Sequence, residues 1–280
     1  MVTLRSLRSA IRHRLLLTTV ADLVDDRHEM LWEMAQVARK HGDLELVDAL
    51  CASLLRSDPH FWFARELPKH ARGWYAQNGQ DAVIERFFES RPPRTRRFVE
   101  VGAFDGVHYS NVRRLHERHG WSGLCIEPVV KNYKKLCQSY AGTDVHCVNA
   151  AVTAGAGMIP LHVSSYPHLP EWGSDVASVH PEERERWSGF EPEWHVEQVR
   201  AVGLTELLGE RGVVDFDLLS IDTEGCDLAV LRTLDFTRYR PALVVVEFGS
   251  DREAIVDHLD RAGYELVQDD GQDGFFAERV

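Results

Sequence analysis

No stretch of this chain approaches the roughly 20 consecutive apolar residues that a membrane-spanning helix needs, which excludes a transmembrane segment of that kind. The apolar triplet Leu15-Leu16-Leu17 follows Arg5, Arg8, Arg12 and Arg14 and is cut off by Thr18-Thr19, too short for a signal-peptide core. Cysteine is scarce. Five occur in 280 residues, none paired at metal-ligand spacing, so neither a disulfide scaffold nor a zinc ribbon is expected. Reduced thiols in a cytoplasmic protein fit that usage. Positive charge is also short: 32 Lys and Arg stand against 44 Asp and Glu. The net charge of −12 repels phosphate backbones and argues against a nucleic-acid partner. Internal repeats and low-complexity tracts are missing as well.

What is present divides in two. The first third has helical periodicity: Leu31, Met34, Ala35 and Ala38 recur at three- and four-residue spacing, and Leu44, Val47, Leu50, Cys51 and Leu54 do so again. Gly42-Asp43 separates the runs, with Asp43 as the N-cap of the second. Asp58-Pro59 closes that run, and His60 to Trp74, aromatic and basic without a clear period, reads as linker. A further short helix spans Gln80 to Phe88 and ends before Arg91-Pro92-Pro93-Arg94.

From Arg97 the texture becomes strands alternating with helices. Strands are expected at Phe98–Val101, Leu124–Glu127, Val145–Val148, Asp217–Asp222 and Ala242–Phe248, and helices at Val112–His119, onward to Tyr140, onward to Leu234, and Arg252–Ala262. Such units imply an α/β fold with a doubly wound, mostly parallel Rossmann-like sheet. Two last strands, Tyr264–Val267 and one near Phe275-Phe276, suit a hairpin on its edge. The expected division is a helical N-terminal region, 1–70, and a sheet domain, 71–280. Residues 164–198 interrupt the rhythm with His168, Trp172, His180, Trp187, Trp194 and His195, a lid-like insertion. Its tryptophans would stack on a saccharide or an apolar acceptor, or simply pack.

Ligands of doubly wound sheets bind beyond the carboxyl ends of the strands. The first such end carries Glu100-Val101-Gly102-Ala103-Phe104-Asp105-Gly106. Gly102 and Gly106 permit a tight turn, but the three-glycine dinucleotide fingerprint is missing. Glu100 and Asp105 flank the turn and would repel a pyrophosphate. They suit the ammonium and sulfonium of S-adenosylmethionine. Glu127 ends the second strand about 25 residues further on, where an acid accepts ribose hydroxyls. Asn149 and Ala150 end the third, where an amide beside a small neighbour suits an adenine edge; Asn149 fits a simple turn equally well. Asp222 and Glu224 follow the fourth strand and Glu247 ends the fifth. Each acid taken singly fits a helix cap. Three acids converging at the sheet mouth suit orienting a substrate hydroxyl, taking its proton, or holding a divalent cation such as magnesium or manganese. His108, beside the cofactor turn, and the histidines of the insertion are alternative bases.

In four stretches these residues resemble the FkbM methyltransferases, a branch of the class I S-adenosylmethionine-dependent enzymes. Tyr75-Ala76-Gln77-Asn78-Gly79-Gln80-Asp81 is similar to the family's opening signature, which often has an acid where Gln80 stands. Phe98 to Gly106 with Ser110-Asn111 resembles its cofactor turn, and Asn149-Ala150-Ala151-Val152 its third-strand motif. Phe216 to Gly225 resembles its fourth-strand hallmark, which often has Lys at the place of Ser220. The likeness runs from about Tyr75 to Val280. It implies S-adenosylmethionine as donor and an O-linked acceptor, a small molecule, commonly a sugar or a natural-product hydroxyl. It carries the cofactor role to Glu100, Gly102, Asp105, Gly106, Glu127 and Asn149, and places Gln77, Asp81 and Asn111 beside the methionine end. Two other functions stay compatible with the sequence: a nicotinamide-dependent oxidoreductase, and a binding or assembly protein that keeps the fold without activity. The N-terminal helices could also join copies into a homo-oligomer.

Overall fold

The computed structural model describes residues 24–57, 63–165, 177–178 and 193–279. The chain divides into two compact units, Met1–Trp74 and Tyr75–Val280. Among the described residues no helix is long and apolar enough to cross a membrane. The described cysteines are all free thiols.

In the first unit, helices α1 (Val24–Lys40), α2 (Leu44–Ser57) and α3 (Phe63–Ala71) share a small core of Leu31, Ala35, Ala38, Val47, Leu50, Leu54, Ala64 and Leu67. Asp43 caps α2 as expected: its Oδ1 accepts the Leu46 N–H at 3.2 Å. The expected linker is corrected, because α3 occupies most of it. Pro68 lies inside α3 and hides its periodicity. Ala64 and Leu67 still present one buried stripe. Asp58-Pro59 and Arg5 to Leu17 lie outside the described residues.

The second unit contains helices α4 (Gln80–Ser90), α5 (Arg113–His119), α6 (Val130–Ser139), α7 (Leu204–Glu210), α8 (Asp227–Leu231) and α9 (Arg252–Arg261). Its main strands are β1 (Arg97–Val101), β2 (Ser122–Ile126), β3 (Val145–Val148), β8 (Leu218–Ile221), β9 (Leu243–Glu247), β10 (Tyr264–Asp269) and β11 (Asp273–Glu278). They form one seven-stranded sheet in the order β10-β11-β9-β8-β1-β2-β3. The five strands from β9 to β3 are parallel; β11 is antiparallel to β9 and pairs with β10 as the expected edge hairpin. Strand alternation sends Val99, Val101, Ile126, Ile221, Val244 and Val246 to one core and Phe98, Cys125, Leu218, Leu243 and Val245 to the other. Burial on both faces is why β9 reads Leu-Val-Val-Val-Glu without polar interruption.

A second, four-stranded sheet was not expected. Strands β4 (Ala151–Val152), β5 (Gly157–Ser165), β6 (Ala177–Ser178) and β7 (Glu193–Val202) lie in the order β4-β7-β5-β6. The ladder from Gly157↔Ala201 to Ser165↔Glu193 makes both ends of the supposed insertion regular strand. Charged and polar positions along β7 and Pro160 in β5 conceal these strands in the sequence, because their exposed faces alternate with Val199, Ala201, Leu161 and Val163 inside. His168, Trp172, His180 and Trp187 lie outside the described residues.

Candidate active site

Parallel strands bring their carboxyl ends to one edge, and there the β1, β2, β3 and β8 turns line a cavity open to solvent. Of the residues expected from sequence, Glu100, Gly102, His108, Asn111, Glu127, Ala150, Asp222 and Glu224 line it. Asp105, Gly106, Asn149, Gln77, Asp81 and Glu247 are not among the lining residues.

The β1 turn is built around two buried acids. Glu100 Oε1 accepts the Asn111 N–H at 3.0 Å and the Ser110 hydroxyl at 3.1 Å. Burial pushes the Glu100 carboxyl up to about 7 despite these bonds. Glu127 accepts Val129 N–H on one oxygen at 2.9 Å and Phe104 N–H on the other at 3.0 Å. Burial drives it up to about 8, with the Asp105 charge adding to the effect. The Gly102 and Ala103 amides donate to the Ile126 carbonyl, so the turn is stitched to the end of β2. Gly102 has φ 84°, and a Cβ there would lie 1.7 Å from the Asp222 carbonyl oxygen. Only glycine lets the β1 and β8 turns touch.

Asn111 shows what the cavity wants. Its Nδ2 donates to Ser220 Oγ at 3.0 Å, while its Oδ1 is buried with no hydrogen-bond partner among the described residues. An orphaned acceptor in such a wall calls for a donor from a ligand.

The β8 turn is electrostatically different. Asp222 is partly exposed, yet burial and then the charges of Glu247, Glu224, Asp227 and Asp273 push its carboxyl well above the usual carboxylate range. Asp227 accepts the amide and hydroxyl of Thr223 and is itself pushed up to about 7, by burial first and Glu247 second. Glu247, at the end of β9, has its Oε2 buried without a partner among the described residues. It acts on Asp222 through its charge and not through the cavity wall. Among the described residues no group of three or more His, Cys, Asp or Glu side chains is placed to hold a metal ion.

Four of the remaining expected residues lie off the cavity wall. Asn149 Nδ2 donates to the carbonyls of Glu127 and Pro128 at 2.9 and 2.8 Å, pinning the end of β2. Asp81 accepts the amides of Tyr75, Ala76 and Ala82 and so folds the segment ahead of α4. Gln77 is exposed. Gly106 allows the turn to press on Tyr140 and Leu136, which a Cβ would meet at 2.6 and 2.7 Å. Several wall residues escaped the sequence: Tyr109, Asn132, Thr153, Leu161, Thr223 and Cys226. Leu161 comes from the unforeseen strand β5. Tyr109, with φ 61°, has no marker beyond its place between His108 and Ser110.

Non-glycine residues with left-handed backbone are few among the described ones: Arg96, Phe104, Tyr109 and Glu224. Three of them line this cavity. Each such residue costs about 1–3 kcal/mol, and that strain is typical of sites held for function.

The family model described as the methyltransferase FkbM domain matches residues 100–266. Among solved structures, a TehB-like SAM-dependent methyltransferase from Corynebacterium glutamicum is similar at 11% identity and a TM-score of 0.39. The alignment covers 78% of this chain and 96% of that one. The human methyltransferase 10 domain containing protein is similar at 14% identity and a TM-score of 0.39, covering 84% of this chain and 94% of that one. At those values neither likeness carries an argument. No curated protein matches the chain.

Proposed function

Because the chain belongs to the FkbM methyltransferase domain family, we propose that this methyltransferase uses S-adenosylmethionine to methylate a hydroxyl oxygen of a sugar, a glycoconjugate or a secondary metabolite. One observation carries it. Four carboxylates, Glu100, Glu127, Asp222 and Glu224, line the cavity, and neither Lys nor Arg is among the lining residues described. Such a wall attracts a cationic nucleoside and repels the pyrophosphate of a nicotinamide dinucleotide.

The residues fit that ligand. Glu127 is the group for the ribose hydroxyls. Ile126, Ala150, Ala151, Val152 and Leu161 supply an apolar wall for a purine. The Glu100–Asn111 corner, with its orphaned Oδ1, is the acceptor set for an ammonium. The bound donor supplies a methyl group on a sulfonium, already activated, so the protein's contribution is chiefly to position the acceptor oxygen. Asp222 and Glu224, on the adjoining β8 turn, are the groups that would orient that hydroxyl by hydrogen bonds.

Calorimetric titration with S-adenosylmethionine and with its demethylated product tests the cofactor assignment. Glu127→Ala is expected to weaken binding about tenfold or more. Unchanged affinity in that variant, or tighter binding of a nicotinamide dinucleotide by the parent, would sink the assignment. Transfer of labelled methyl groups to a panel of sugars, nucleotide sugars, polyketide alcohols and amines tests the acceptor. Label that enters only the amines would refute methylation at oxygen.

A further inference from the structure

Asp105 stands in the turn that the sequence assigns to the cofactor, yet it does not line the cavity. Its carboxylate is buried and fully employed elsewhere. Oδ1 accepts the amides of Val107 and His108, both at 2.9 Å, and Oδ2 lies 2.6 Å from His108 Nδ1. His108 does line the cavity, together with Glu100, Asp222 and Glu224, and its side chain is 17% exposed. We propose that Asp105 and His108 form a dyad in which His108 Nε2 removes the acceptor's proton and Asp105 is its positioning residue, not a cofactor ligand. This rests on the methyl-transfer reading above.

The tautomer follows from charge. Burial pushes the Asp105 carboxyl up, but the hydrogen bonds from His108 and the turn amides outweigh it and hold the group below its ordinary value. An ionised carboxylate only accepts, so Nδ1 carries the hydrogen and the lone pair lies on Nε2. The backbone fixes the ring's direction. Phe104 and Tyr109, with φ of 48° and 61°, bracket Asp105 and His108, and the two amide bonds to Asp105 Oδ1 close the bend between them. A side chain held at both its ring nitrogen and its own amide by one carboxylate is oriented more firmly than packing alone would achieve.

Three of the neighbouring acids are already engaged or crowded. The charged groups on the cavity wall are Glu100, Glu127, Asp222 and Glu224, with Asp105 behind the ring. Burial, and then the surrounding carboxylates, push the Asp222 carboxyl well above its ordinary range. Glu100 and Glu127 already accept backbone N–H groups. In the step itself, the acceptor oxygen bonds to the methyl carbon as the carbon–sulfur bond breaks. The electron pair stays on sulfur, which becomes a neutral thioether, and the hydroxyl proton passes to His108 Nε2. The imidazolium so formed is stabilised by Asp105 and later releases the proton to solvent.

The test uses the full chain as parent, His108→Gln and Asp105→Asn. Imidazole nitrogen NMR of the ligand-free protein should show His108 with hydrogen on Nδ1 in the parent. In Asp105→Asn that preference should be lost, because the amide can itself donate to the ring. Turnover at saturating donor and acceptor should fall about 100-fold or more in both variants, and the acidic limb of the kcat–pH profile should vanish in His108→Gln. Affinity for the demethylated product should stay within about threefold of the parent. Parent-like turnover in His108→Gln, or hydrogen on Nε2 in the parent, would overturn the dyad. So would an Asp105→Asn variant whose product affinity collapses while saturated turnover persists, since Asp105 would then be a cofactor ligand. A parent that binds neither donor nor product would instead overturn the methyl-transfer reading, and the dyad's role with it.

Discussion

The two acidic turns that meet at Gly102 are wired in opposite ways. In the β1 turn and its neighbour on β2, the carboxyl oxygens of Glu100, Asp105 and Glu127 each accept backbone amides and so build the loop. In the β8 turn, Asp222 is surrounded by other carboxylates, and its charge is opposed by the fold. The first turn is a rigid cradle. The second gathers like charges, which a bound cation would relieve. The difference teaches that one set of side-chain types, at equivalent ends of parallel strands, can be either scaffold or reactive surface, according to which amides its oxygens reach.

The largest expected effect comes from the contact between the turns. Gly102→Ala would drive a Cβ into the Asp222 carbonyl at a φ that alanine resists. Chemical denaturation should show a loss of roughly 2–4 kcal/mol, and donor binding should be lost. Near-parent stability and affinity would mean the turns move independently.

Asp222→Asn separates stress from function. At pH 8 the variant should melt a few degrees higher than the parent, because a crowded charge is gone, while turnover falls about tenfold as the orienting hydrogen bond weakens. A variant that is both less stable and fully active would make Asp222 a scaffold acid like Glu100.

The pH dependence of the ligand-free protein is the third measurement. Glu100, Glu127, Asp227 and Asp273 are pushed up to about 7, 8, 7 and 6, and Asp222 well above its ordinary value. For each, the folded chain holds a proton that the unfolded chain has already released. Their stabilisation is therefore full below the ordinary carboxylate values and is lost as pH rises towards about 8. Asp105, Asp217 and Glu85 are shifted down and lose their contribution only in more acid solution. The melting temperature should fall by roughly 5 °C or more between pH 5.5 and 8, and by less in Asp222→Asn. A flat profile would show that the β8 turn carries no stress. The smallest effect is expected at Gln77, which is exposed and away from the cavity wall. Gln77→Ala should change donor affinity by less than about twofold in calorimetry.

Two departures from the family pattern also find their reasons in space. Gln80, where an acid is common, donates its amide to the buried carboxylate of Asp273 at 2.6 Å, a place where a second acid would be repelled. Ser220, where lysine is common, receives the Asn111 amide and so aims that residue's Oδ1. Neither partner is adjacent in the chain, and neither could be guessed from spacing.

The sequence alone determined the sheet and its ends. Apolar runs such as Val244 to Val246 and the alternation of strand and helix follow from backbone geometry and burial, which are local and periodic. They sufficed to bring Glu100, Glu127, Asp222 and Glu224 to one edge, because parallel strands leave no other place for the residues that follow them. The tertiary structure decided what each acid does. Which group a side chain reaches depends on where other segments pass, as when Glu127 meets the Phe104 amide and Asn149 the Glu127 carbonyl. Hydrogen bonds are short and directional, so they are fixed by packing and leave no period in the sequence.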